Sequence, residues 1–270
     1  MKKKLIIFLV FISFNNCYSQ TSDEYNNAGI SKFKLQDYKG AIADYTKAIE
    51  TNPKYAIAYF NRGFAKFYLH DYKGSIADYT RAIEIKSKYA KAYFNRGYAK
   101  FYSLQDYKGS IADYTRAIEI DPNNYGAYIS RGISKFHLQG YMGAISDYTK
   151  AIEINSMDAE AYNNRGDSKA KLQDYMGAIA DYTKAIELKP KDADAYIVRG
   201  EAKVNLQDYK GAIVDYTKAI ELDPMDAMAY YKRGLAEIHS GIKEIGCLDF
   251  NKAGEIGSEA AYDAIKEYCH

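Results

Sequence analysis

Apolar residues along this chain recur at helical spacing inside a phrase that is itself repeated. In Asp71–Glu84 the apolar positions Ile76, Tyr79 and Ile83 stand three and four apart, the signature of one buried helix face. The same phrase returns at Asp37–Glu50, Asp106–Glu119, Gly140–Glu153, Asp174–Glu187 and Asp208–Glu221, its starts 34, 35, 34, 34 and 34 residues apart. A weakened seventh copy runs Ile242–Glu255. A fixed period of this length marks a repeated supersecondary unit. Five copies open with Asp37, Asp71, Asp106, Asp174 or Asp208, good N-caps for a helix. Pro53, Pro122, Pro190 and Pro224 follow the helix and stop it.

The other half of each period reads as a second helix. Glycine recurs at Gly29, Gly63, Gly97, Gly132, Gly166, Gly200 and Gly234, with a tyrosine four residues before each. Glycine inside a helix costs about 1 kcal/mol against alanine. Paying that seven times predicts close packing where a side chain would collide. One extra residue near Ser103 should lengthen a helix end. Seven helix pairs follow, then a last helix Ser258–Tyr268, with Gly257 ending the one before and Ser258 capping it. The repeat predicts one elongated unit rather than two globular domains.

These positions resemble the tetratricopeptide repeat. The likeness rests on the 34-residue period and the aromatic four before glycine. It continues with a small residue opening the second helix (Ala41, Ser75, Ser110, Ala144, Ala178, Ala212), then Tyr45 and Ala48 and their equivalents, then proline. Departures are arginine where the family often has leucine (Arg62, Arg96, Arg131, Arg165, Arg199, Arg233), and Ser87 and Ser156 in place of proline. The resemblance implies an all-α, right-handed α-solenoid of seven helix-turn-helix repeats, at 22–55, 56–89, 90–124, 125–158, 159–192, 193–226 and 227–257, with a capping helix in 258–270. It also implies that the first helix of each pair lines a concave face that binds protein segments.

Residues 1–19 stand apart. Lys2, Lys3 and Lys4 precede a ten-residue apolar run, and Cys17 and Ser19 suit a cut before Gln20. This reads as a secretory signal peptide, too short to span a bilayer. A periplasmic or secreted protein is expected, with a lipid anchor on Cys17 as the alternative. Losing the three lysines takes the net charge from +2 to −1. A near-neutral chain without basic runs offers little to nucleic acid. Four scattered histidines, with no nucleophile, phosphate-loop or zinc spacing, support neither catalysis nor a metal or cofactor.

Binding chemistry is readable on the first helices. Two residues before each glycine stand Asn27, Asn61, Asn95, Ser130, Asn164, Val198 and Lys232. An asparagine amide can both donate to and accept from a peptide backbone. The ladder is similar to the one inside the repeat superhelix of O-linked N-acetylglucosamine transferases; solvated asparagines inherited by duplication are the bland alternative. Beside it lie Phe60, Phe64 and Tyr68, then Phe94, Tyr98 and Tyr102, candidate anchors for a partner's side chains. Phe67 and Phe101 should be buried between helices. Further on the same places hold Asn163, Asp167 and Lys171, then Ile197, Glu201 and Asn205, so the groove should turn from aromatic to acidic-polar. The carboxylate clamp of chaperone-binding relatives is matched only partly. Each arginine is expected to pair with an aspartate of the second helix, Asp78 to Asp249.

Cys247 and Cys269 are the cysteines left after signal removal. Cys247 takes an inward position held by isoleucine elsewhere, and Cys269 shares a helix face with Ala261 and Ile265. Antiparallel helices about Gly257 would bring them level, so a disulfide is expected; two buried thiols are the alternative. The sequence thus reads as a non-catalytic scaffold for a peptide or protein segment, the rival being a self-associating component of a cell-envelope assembly.

Overall fold

The computed structural model describes residues 20–269. The expected secretory segment, residues 1–19, lies outside them. All secondary structure among the described residues is helical, fifteen helices in chain order. Where the periodicity predicts a single elongated unit, the chain divides into two compact units at Lys86 and Ser87. In a repeat stack the packing is built from contacts between neighbouring hairpins.

The first unit holds two hairpins, α1 (Ser22–Lys34) with α2 (Tyr38–Thr51), and α3 (Ala56–Tyr68) with α4 (Tyr72–Ile85). The second holds five, and one helix more. Its pairs are α5 (Ala90–Leu104) with α6 (Tyr107–Ile120), α7 (Tyr125–His137) with α8 (Tyr141–Ile154), and α9 (Ala159–Lys171) with α10 (Tyr175–Leu188). α11 (Ala193–Asn205) with α12 (Tyr209–Leu222) and α13 (Ala227–His239) with α14 (Lys243–Ile256) follow, and α15 (Glu259–Tyr268) closes the chain. In each unit the second helix of one pair packs on the first helix of the next. The extra residue near Ser103 is absorbed in α5, which runs 15 residues against 13 for α3 and α7.

Local signals act as chemistry requires. The Asp37, Asp71, Asp106, Asp174 and Asp208 carboxylates accept from the backbone N–H three residues on, at 2.8–3.0 Å. The repeat glycines are places of contact. A Cβ on Gly166 would stand 2.6 Å from the ring of Tyr182, which is buried, and Gly132 meets Tyr148 equally closely. The first helices end in a turn that sequence reasoning missed. Gln36, His70, Gln139, Gln173 and Gln207 hold φ near +60°, and Asp37 N–H reaches back to the Lys32 carbonyl at 3.0 Å, the six-to-one bond of a Schellman cap.

Arginine in place of leucine joins three helices. Arg165 on α9 makes paired bonds to Asp181 on α10 at 2.9 and 2.6 Å, donates to Thr149 of α8 at 3.1 Å, and lies over the Tyr162 ring. Arg62, Arg131, Arg199 and Arg233 repeat the arrangement. A lysine one turn on, such as Lys169, adds a second cation to the same carboxylate at 2.7 Å. A buried carboxylate held by two cations and a planar fork is compensated in the way burial demands.

At the C-terminal end, Phe250 and Ala253 of α14 pack with Ala261 and Ala264 of α15. Gly257 ends α14 at φ 115°. Ser258 precedes α15, but its side chain makes no capping bond. Cys247 and Cys269 are joined, with Cα atoms 5.8 Å apart.

Candidate functional site

In the second unit the exposed sides of the first helices form a groove. A small cavity of about 70 Å³ lies among Tyr98, Phe101, Tyr102, Tyr114, Ser130 and Ile133. The next, about 220 Å³, is lined by Ile133, Phe136, His137, Tyr148, Asn164 and Asp167. A third, about 380 Å³, takes Phe136 and Asp167 as shared walls and adds Lys171, Tyr182, Val198, Glu201 and Asn205. The fourth, about 330 Å³, shares Glu201 and Asn205 and reaches Lys232, Leu235 and His239. The shared walls set these four in a row along the first helices. The inner wall of the row carries the second-helix tyrosines. Burial raises the Tyr114, Tyr148, Tyr182 and Tyr216 hydroxyls well above the ordinary phenol range, so they stay neutral. Tyr182 donates to Asp167 Oδ1 at 2.7 Å.

The residues singled out by sequence fall into different surroundings. In the first unit, Phe64 stacks on Phe33 with centroids 5.4 Å apart and lies parallel to Phe60 at 6.2 Å. Tyr68 stacks on Tyr38 at 5.2 Å and is 48% exposed. Asn27 is exposed, whereas the Asn61 amide donates to Asn26 Oδ1 at 2.8 Å. In the second unit, Phe94 leans on buried Tyr114, centroids 5.6 Å apart. Tyr98 and Tyr102 sit 4.4 Å apart at the small cavity, Tyr102 being 59% exposed. The Asn95 amide folds back on the Lys91 carbonyl at 2.8 Å. Asn164 differs: its Nδ2 is buried beside the second cavity without a hydrogen-bond partner among the described residues. The asparagines at one register are therefore not equivalent, because each amide takes whatever acceptor its own neighbours supply. Phe67 and Phe101 are half-buried rather than enclosed, and Phe101 lines the small cavity.

Sequence reasoning missed Ile133, Phe136, Leu235 and His239 as groove residues. Ile133 and Leu235 follow the repeat glycine by one and His239 by five, and that register was the available signal.

Comparison with known proteins agrees with the fold. The profile described as TPR repeat matches residues 29–69, 65–101, 100–140 and 200–237, more than half of the chain, and the Tetratricopeptide repeat profile matches 159–192. No curated protein sequence matches significantly. Among solved structures, MamA is 27% identical with a TM-score of 0.58, over 61% of this chain and 96% of MamA. YrrB, a TPR protein with an unusual peptide-binding site, is 24% identical with a TM-score of 0.61, over 70% and 97%. The C-terminal part of a TPR repeat-containing protein from Cytophaga hutchinsonii is 19% identical with a TM-score of 0.76, over 88% and 98%. The fold they share is one of protein–protein interaction scaffolds. On the extent of the repeat match, the chain belongs to the tetratricopeptide repeat family.

Proposed function

We propose that this chain is a non-catalytic scaffold that holds an extended or helical segment of a partner protein along the first-helix groove. The observation that carries the reading is Asn164 Nδ2, a buried donor without a partner among the described residues, on the wall of one of a row of cavities. An unmet buried donor costs about 1–3 kcal/mol, and a bound segment's carbonyl would relieve it. Tyr98 and Tyr102 supply rigid apolar contact area at one end of that row. In the first unit, half-exposed Tyr68 backed by Phe64 offers a separate aromatic anchor. YrrB, which carries a peptide-binding site, lends this chain its fold and no residue assignment.

Selection of peptides from a phage-displayed library on the full chain, followed by affinity measurement, tests the reading. Asn164→Ala should weaken the selected peptides by about 2- to 13-fold, the equivalent of one hydrogen bond of 0.5–1.5 kcal/mol. Unchanged affinity in that variant would count against the groove. Exposed Ile245 and Leu248 on α14 and Tyr262 on α15 favour a second reading, self-association within a larger assembly. A chain that selects no peptide and elutes as an oligomer would favour it over the first. Export to the periplasm or beyond is part of the proposal, supported by the basic start and short apolar run within residues 1–19.

A further inference from the structure

The groove of the second unit changes chemistry along its length. One residue after the repeat glycine, α5, α7, α9, α11 and α13 carry Tyr98, Ile133, Asp167, Glu201 and Leu235. Two carboxylates thus stand on adjacent helices with apolar positions on either side. Both line the cavity of about 380 Å³, whose walls also include Phe136, Ala170, Val198 and Ala202.

The two carboxylates are not equivalent. Glu201 Oε1 meets Lys232 Nζ at 2.7 Å. Asp167 accepts from the Tyr182 hydroxyl through Oδ1, and no cationic group lies within ion-pair distance of it among the described residues. Burial raises the Asp167 carboxyl; the Tyr182 bond opposes this, the Glu201 charge adds to it, and Lys171 offsets part of it. Asp167 is thus held by one neutral hydrogen bond and by no ion pair among the described residues, with Lys171 of the same cavity acting on it from longer range. In the adjoining cavity, which Asp167 also lines, Asn164 Nδ2 is the buried donor without a partner.

We propose that the cavity between α9 and α11 takes a lysine or arginine side chain of the bound protein segment, with apolar residues on either side of it. This rests on the groove reading above. The methylene stem lies against Phe136, Val198 and Ala202 while its cationic head pairs with Asp167, the division of labour such side chains adopt at apolar surfaces. A charge-assisted bond to a partly buried carboxylate is stronger than a neutral one. A partner glutamate at this place would oppose Asp167 and Glu201 and is rejected.

The test uses four pools of nonapeptides on the immobilised full chain. The central residue is lysine, arginine, norleucine or glutamate, and all other positions are random over uncharged residues. Retention of the lysine and arginine pools should exceed that of norleucine by at least about tenfold, with glutamate lowest. Asp167→Asn keeps an acceptor for Tyr182 and should cut the preference over norleucine to about twofold while norleucine retention is unchanged. Equal retention of lysine and norleucine pools, or a preference that survives in Asp167→Asn combined with Glu201→Gln, overturns the inference and leaves the groove reading standing. Retention of none of the pools overturns both. Thermal melts of the variants identify a loss that comes from unfolding; should Asp167→Asn unfold, Asp167→Ser serves as the second variant, with the same loss of lysine preference expected and an unchanged preference overturning the inference.

Discussion

Glu237 breaks the rule that the other first helices follow. Lys32, Lys66, Lys100, Lys135, Lys169 and Lys203 hold its place elsewhere, and each pairs with the aspartate of its own hairpin. In α13 the cation is replaced by a carboxyl, 6% exposed, with Oε2 lacking a partner. Burial first, then the Asp249 charge, push Glu237 up to about 7, with Arg233 acting against them. In the unfolded chain it titrates near 4.3. The folded state thus holds the proton more tightly, and its contribution is full below about 4.3 and is lost as pH rises through about 7. Thermal melts followed by circular dichroism should therefore show stability falling between pH 4.5 and pH 8. Glu237→Gln should flatten that dependence, and Glu237→Lys should stabilise the chain at pH 8. A pH profile identical in wild type and Glu237→Gln would show that another group is responsible.

At the scale of elements, α15 is held to α14 by apolar packing and by the Cys247–Cys269 bridge. The bridge spans 22 residues, for which the chain-entropy estimate is about 3 kcal/mol. Replacing both cysteines by serine should expose the amides of α15 and the end of α14 to hydrogen exchange before the rest of the second unit. Alkylation of the denatured, unreduced protein should label neither Cys247 nor Cys269; labelling of both would remove the staple from the account. The helix ends show how local rules are shared and broken. Six non-glycine residues take the left-handed conformation after the first helices, whereas the last pair uses Gly241 at φ 88°. A left-handed position costs a non-glycine residue roughly 1–2 kcal/mol; the six-to-one bonds after Gln36, His70, Gln139, Gln173 and Gln207, and the aspartate cap that follows each of these except Gln139, offset it.

At the scale of the whole molecule, the described residues contain no helix long and apolar enough to cross a membrane. The repeats carry their surface chemistry unevenly. Aromatic residues gather in α3 and α5, and the position after the repeat glycine is a carboxylate only in α9 and α11, while the core positions barely vary. Duplicated repeats keep the packing residues that every hairpin needs and are free to diverge where only a partner is touched. The proposed export has a direct check. Mass spectrometry of the native protein should find an N-terminus at or near Gln20, and a mature chain beginning at Met1 would overturn it.

Period, helix spacing, caps and the recurring glycine–tyrosine contact were legible in the sequence because each is a local requirement met anew in every repeat. The arginine–aspartate pairs were legible for the same reason, as both partners recur in step. Cys247 and Cys269 could be matched because one tight turn at Gly257 sets the height of both helices. Tertiary structure decided what depends on neighbours outside the repeat. It divided the chain at Lys86, engaged the Asn61 and Asn95 amides internally, and left Asn164 Nδ2 unmet. It also set Asp167 beside Glu201 in one cavity and placed Glu237 against Asp249. Sequence register says which residues share a face, but hydrogen-bond partners and desolvation are properties of the packed surroundings, and those exist only once adjacent hairpins have met.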